Sequence, residues 1–167
     1  MIKNSGNFKG AGLKALEARI RALGKKKVVV GVPASANHAR KDGLSNATIA
    51  AAHEFGVPGH IPERSFLRST LNENKEKAAD FLSRKLKEAL TTDGNVTMPL
   101  IMVGQNLVGE IGKKIEAGIS PPLSEATKAA RRRKNKSAKA KEGRKMTPLH
   151  DTGNLLAAIT YEVRDEG

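Results

Sequence analysis

The sequence predicts an α+β fold: a small, mostly antiparallel sheet packed against one long helix, with additional helices and a basic extended arm. Three observations carry this expectation. From Phe66 to Leu90 the apolar residues Phe66, Leu67, Leu71, Ala78, Phe81, Leu82, Leu86, Ala89 and Leu90 recur mostly at spacings of three, four or seven, the signature of one apolar stripe on a helix. Val28-Val29-Val30-Gly31-Val32 is a nearly continuous β-branched run closed by Pro33, which suits a strand in a more buried position. Near the C-terminus Ile159, Tyr161 and Val163 alternate with Thr160, Glu162 and Arg164, the period of a half-buried strand. Pairing the two strands would tie the ends of the chain together.

The remaining elements follow in order. Residues 1–8 are polar and glycine-containing, a loose arm. Leu13, Leu16, Ile20 and Leu23 then fall at helical spacing, with Gly24 as a stop. After the first strand, residues 34–45 read as a loop. Ser45 or Asn46 caps a short helix through Ala47, Ile49, Ala50, Ala51 and Phe55, which Gly56 closes, and Val57-Pro58-Gly59-His60 is a turn. Ile61-Pro62 is extended because proline forces its predecessor out of the helical region, and Ser65 is placed to cap the long helix. The opposite face of that helix carries charges, with Glu73 and Lys77 at a favourable spacing.

Beyond a break at 91–95, Leu100, Leu107, Val108, Ile111 and Ile115 favour a helix with Pro99 in its first turn. Gly104, Gly109 and Gly112 weaken that helix or let another part of the chain approach closely. Gly118 ends it and Ile119-Ser120-Pro121-Pro122 is extended. Between Lys128 and Lys145 the chain carries ten basic residues, Lys128, Arg131, Arg132, Arg133, Lys134, Lys136, Lys139, Lys141, Arg144 and Lys145, against a single acid, Glu142. This is the sharpest change of composition in the sequence. Asn154–Ala158 forms a helical turn before the final strand.

At 167 residues the chain is expected to form a single domain, with a basic loop projecting over about residues 120–147. Hydrophobic residues make up 38 % and aromatics 3 %, so the core is modest and aliphatic and gains from partner subunits. Zero cysteines exclude disulfides and thiolate chemistry and fit synthesis in a reducing cytoplasm. The formal net charge of +13 calls for an anionic partner, nucleic acid or an acidic protein surface. No apolar run is long enough for a membrane span, and the N-terminus lacks a signal-peptide core.

Signs of catalysis are weak. His53-Glu54 begins like a zinc-protease motif, but Val57 stands where the second histidine belongs. The four histidines, His38, His53, His60 and His150, have no ligand spacing. Gly112-Lys113 is followed by Lys114 rather than Ser or Thr, which rules out a phosphate loop. Asp151-Thr152-Gly153 reads as helix capping rather than a protease triplet. No enzyme, cofactor or metal is expected. The basic run lacks interleaved aromatics, so any nucleic-acid contact would be to the phosphate backbone and sensitive to salt.

Three separated stretches together resemble a tailed-bacteriophage family, the neck or tail-completion proteins also described as minor tail components. The first is Ala51-Ala52-His53-Glu54-Phe55-Gly56 followed by Ile61-Pro62-Glu63-Arg64-Ser65-Phe66-Leu67-Arg68. The second is Ile119-Ser120-Pro121-Pro122-Leu123-Ser124 with Ala126-Thr127 and the arginines after it. The third is Pro148-Leu149-His150-Asp151-Thr152-Gly153-Asn154-Leu155 running into Ile159-Thr160-Tyr161-Glu162-Val163. Ser65 stands where that family usually has a second proline, and His150 precedes Asp151. The resemblance implies a virion structural protein in a homo-oligomeric ring, with six copies the leading expectation, between a head-closure or connector protein and the tail terminator or tail tube. DNA would pass through its centre, with possible contact to packaged DNA phosphates. A tail terminator and a non-specific nucleic-acid-binding protein are the alternatives. On this reading Phe55, Pro62, Phe66, Leu67, Asp151, Thr152 and Gly153 are structural anchors. Arg64, Arg68 and the ten basic residues of the arm face partners or DNA.

Overall fold

The helix that organises the molecule is also its most regularly apolar one. In the computed structural model, which describes residues 10–37, 43–92, 94–136 and 146–166, α4 (Met98–Ala117) buries Leu100, Val103, Gly104, Leu107, Ile111 and Ile115 along one face. Pro99 lies in its first turn, where its missing N–H is harmless. Around α4 stand α1 (Gly10–Gly24), β1 (Lys26–Gly31), α2 (Asn46–Phe55), α3 (Leu67–Thr91), α5 (Glu125–Asn135), α6 (Asn154–Ala158) and β2 (Thr160–Asp165). The class is α+β, as the sequence predicts.

β1 and β2 pair directly and antiparallel, with Val28 opposite Val163 and Val30 opposite Tyr161. The ladder starts two residues earlier than the valine run suggests because charges extend it. Lys26 Nζ lies 2.7 Å from Asp165 Oδ1 and Lys27 Nζ 3.1 Å from Glu166 Oε1. Val32 and Ile159 fall outside the strands but pack in the core. The expectation that the valine strand is the more buried one fails: among the described residues the sheet has two strands, so both are edges, and Val28, Val29 and Val30 are all half-buried.

α4 covers the sheet, and Gly104 is where they meet most closely. A Cβ there would lie 2.5 Å from Tyr161 Cδ2, so the ring of β2 occupies the space a side chain would need. The long helix α3 packs on α4 and reaches the sheet at its first turn. Leu67 Cδ1 lies 4.0 Å from the position a Cβ on Gly31 would take. Leu71, placed on the apolar stripe by spacing, is 53 % exposed. The central cluster joins Ala50, Phe66, Ile111, Ile115, Leu149, Leu155 and Ile159, so the 149–159 segment closes on α2, α4 and the residue before α3.

α1 is held mainly by one side chain. The Arg19 guanidinium donates to Ala89 O at 2.5 Å, Gly94 O at 2.7 Å and Leu90 O at 3.3 Å, carbonyls at and just beyond the C-terminus of α3. Leu13 and Ile20 remain about half exposed. Among the described residues no helix is long and apolar enough to cross a membrane.

Candidate binding cleft

The site grows from the turn between α2 and α3. Ser45 Oγ accepts from Thr48 N at 3.1 Å and starts α2, while Gly56 at φ 73° ends it. A Cβ on Gly56 would lie 2.9 Å from Glu63 N, so only glycine lets the loop fold back against the helix end. Val57 and Ile61 bridge that loop, and Arg64 N donates to His53 O at 2.7 Å.

Glu54, 3 % exposed, then caps the long helix from outside it. Its Oε2 accepts from Phe66 N and Leu67 N, both at 2.8 Å. Its Oε1 accepts from Arg68 N at 3.0 Å, Ser65 Oγ at 2.8 Å and Arg68 Nε at 3.0 Å. Ser65, expected to cap α3, takes only part of that role: it donates to Glu54 and accepts from Ser69 N at 3.3 Å, while Glu54 takes the amides of Phe66, Leu67 and Arg68. Burial alone would raise the Glu54 pKa. The amides of Leu67 and Arg68, the Ser65 hydroxyl and the Arg68 guanidinium outweigh it and hold the carboxyl below its usual range.

Several expected roles are corrected here. Arg64 is recessed rather than projecting: it is 5 % exposed, with Nε donating to Pro121 O at 2.7 Å and Nη2 to Pro122 O at 3.2 Å. Arg68 is committed within the chain, to Glu54 and, through Nη2, to Glu63 Oε1 at 2.7 Å. Phe55 is no buried anchor. It is 63 % exposed and carries the Arg68 guanidinium 4.7 Å from its ring centroid. Phe66 is fully buried, Leu67 half-buried and Pro62 exposed.

The basic segment is helical where it is described, not extended. Ser124 Oγ accepts from Thr127 N at 3.2 Å and caps α5. Arg131 turns inward, its Nη1 donating to Thr147 O at 2.9 Å and His150 O at 3.2 Å, with Nε 3.5 Å from Asp151 Oδ1. Lys128 pairs with Glu125 at 2.7 Å, and Arg132, Arg133, Lys134 and Lys136 are exposed. Lys139, Lys141, Arg144 and Lys145 lie outside the described residues. Asp151 and Thr152 do not cap α6, whose cap position is Gly153, at φ 80° and with no side-chain cap; Asp151 faces Arg131 and Thr152 is exposed. Leu149 takes φ 64°, a conformation rare for a bulky side chain, while buried in the core.

These pieces enclose a cleft of about 500 Å³ between α2, the 60–64 segment, Pro121-Pro122, the first turns of α5 and the 149–155 turn, a size typical of ligand sites. Arg64, Arg131, His53 and Asp151 all line it. Burial, then the charges of Arg64 and Arg131, hold the His53 pKa below its ordinary value. Burial and Arg131 lower that of Arg64. Two guanidiniums line the recess against the one carboxylate of Asp151, an arrangement with positive charge to spare for an anion. Among the described residues no group of His, Asp and Glu is placed to hold a metal.

The sequence points to Arg64 and Arg131 as basic residues but not to their convergence. Glu54 and the inward turn of Arg131 carry no local signal, since their partners are distant in the chain. No family model, curated protein or solved structure matches this chain.

Proposed function

We propose that the chain is a structural subunit of a tailed-bacteriophage virion, forming a ring at the neck that joins the head-closure layer to the tail around the DNA channel. The observation that carries this reading is spatial. The three stretches that resemble neck proteins are far apart in sequence, yet all contribute to one cleft. Arg64 of the first stretch grips the carbonyls of Pro121 and Pro122 in the second. Arg131, which follows the second, grips Thr147 and His150 around the third. Residues that share one interlocked unit support a common role better than scattered matches would.

In this reading the interlocked unit is the rigid wedge of each subunit, and α5 presents Arg132, Arg133, Lys134 and Lys136 outward. Repetition around a ring multiplies that charge, which suits contact with acidic protein layers above and below or with passing phosphates. A lone non-specific nucleic-acid-binding protein is the second reading, favoured by the same exposed cations and the net charge of +13.

The test uses charge reversal rather than deletion, because removing residues 128–145 would also remove the internal tie made by Arg131. Purified heads and tails are mixed with the triple variant Arg132→Glu, Arg133→Glu, Lys134→Glu. The neck reading expects loss of infectious particles with an unchanged thermal melt. Normal joining by the variant refutes the role given to α5. Tight duplex binding by the isolated wild type, with no assembly onto tails, supports the second reading instead.

A further inference from the structure

Two kinds of basic surface occur on this chain. On the outer face of α5 the cations Arg132, Arg133 and Lys134 stand exposed. In the cleft they are recessed: Arg64 is 5 % exposed and the Arg131 side chain 12 %. A duplex presents its phosphates along a stiff rod and meets the first kind of surface. A recessed cation is met by a side chain projecting from a thinner, extended segment.

The recess also holds polar groups that the fold leaves unmatched. Arg64 spends Nε and Nη2 on Pro121 and Pro122, and its Nη1 has no partner among the described residues. His53 Nδ1 is buried without a hydrogen bond. Buried polar groups are nearly always satisfied, so a buried imidazole nitrogen without a partner, beside two guanidiniums fixed by the fold, calls for an explanation. One oxyanion would serve both, and the surplus of guanidinium over carboxylate among the described lining residues favours it. Half-buried Ile61 and Leu123 add apolar surface beside these groups.

We propose that the cleft is a docking site for an acidic segment of another protein chain, seating one Asp or Glu carboxylate against Arg64, Arg131 and His53 and an apolar neighbour against Ile61 and Leu123. The site needs no ring and no DNA, so it stands apart from the neck reading. The carboxylate supplies a charge-assisted acceptor for the arginines, and the apolar neighbour fixes the direction of the segment.

The probe is the labelled peptide acetyl-Gly-Leu-Glu-Leu-Gly-amide, compared with its Gln counterpart, titrated into the full chain. Binding is followed by fluorescence anisotropy and by the Arg Nε–H and His53 resonances. The Glu peptide is expected to saturate and to bind at least about tenfold more tightly than the Gln peptide. Thr127, exposed at the rim of the cleft, provides a variant that keeps the fold. Thr127→Glu completes a capping box with Ser124 and places a like charge at the mouth, so it should weaken the Glu peptide by a similar factor without lowering Tm. The Arg132→Glu, Arg133→Glu double variant should leave peptide binding unchanged, and a short DNA duplex should not displace the peptide. Equal affinity of the two peptides, no saturable binding of either, or no effect of Thr127→Glu overturns the proposal. Displacement by the duplex overturns it too and makes the cleft a phosphate site.

Discussion

Replacing Glu54 with alanine strikes the point where α2, the turn and α3 are joined. The carboxylate accepts three consecutive backbone amides, those of Phe66, Leu67 and Arg68. Loss of a helix cap costs about 0.5–2 kcal/mol. The Phe66 amide is buried, and stranding a buried donor costs about 1–3 kcal/mol more. The sum is about 2–5 kcal/mol, which for a chain of this length lowers Tm by roughly 5–15 °C. Glu54→Gln keeps one acceptor oxygen and should fall between. Arg68→Ala, which removes a half-exposed partner of the same carboxylate, should cost much less than Glu54→Ala. A Glu54→Ala melt within about 2 °C of wild type, or one equal to that of Arg68→Ala, would refute the reasoning. Acid provides a second readout. The folded protein holds the Glu54 pKa below 4.5, so its stabilisation is complete above that value and drains away as pH falls through the lower, folded pKa. His53 acts likewise at higher pH. Its pKa is held below 6.5, so the folded state resists protonation and stability declines as pH drops beneath 6.5. The decline that begins near pH 6.5 should vanish in His53→Gln, and the later one in Glu54→Gln.

Phe66 has no exposed surface, and Phe66→Ala should cost about 3–5 kcal/mol by denaturant titration; an unchanged midpoint would show that it is not a core anchor. Gly104→Ala forces a Cβ within 2.5 Å of Tyr161 Cδ2. The crowding, about 1–3 kcal/mol, should exceed the helix-propensity gain of about 1 kcal/mol, and Tyr161→Ala, which removes the ring and Cγ but leaves the Cβ 2.9 Å away, should relieve most of it in a double mutant. Arg19→Ala uncovers carbonyls at the end of α3, so amide exchange in α1 should quicken while that of α4 does not.

What the sequence discloses and what it hides divide by distance along the chain. The period of Leu100 to Ile115 and the alternation from Ile159 to Val163 are local, and both elements form where the pattern lies. The pairing of β1 with β2 is legible because the valine run and the alternating C-terminal segment are the two clear strand patterns in the sequence. The cap on α3 is not, because Glu54 stands twelve residues before Phe66 and capping rules look only within a turn. Phe55 sits at the right spacing for burial, yet Arg68 provides a partner that lets its ring stay in water. α5 does carry helix signals, with Ser124 as cap and Ala126, Ala129 and Ala130 inside. A run of like charge obscures them, since repulsion argues for an extended chain unless some of the charge turns inward, as that of Arg131 does.

Net charge is therefore a poor guide to what this chain recognises. The composition counts Arg64 and Arg131 with Arg132 and Arg133, but their surroundings set them to different work. A guanidinium that spends its donors on backbone carbonyls loses none of its charge, because a carbonyl is neutral. It becomes a fixed cation whose position is set by the fold, with less freedom to surrender when an anion arrives. An exposed arginine on α5 must be ordered by whatever it meets, and salt screens it first. Raising ionic strength should accordingly weaken contacts made by α5 more steeply than contacts made in the cleft. A common salt dependence for duplex and acidic peptide would mean that the recess is no different from the surface.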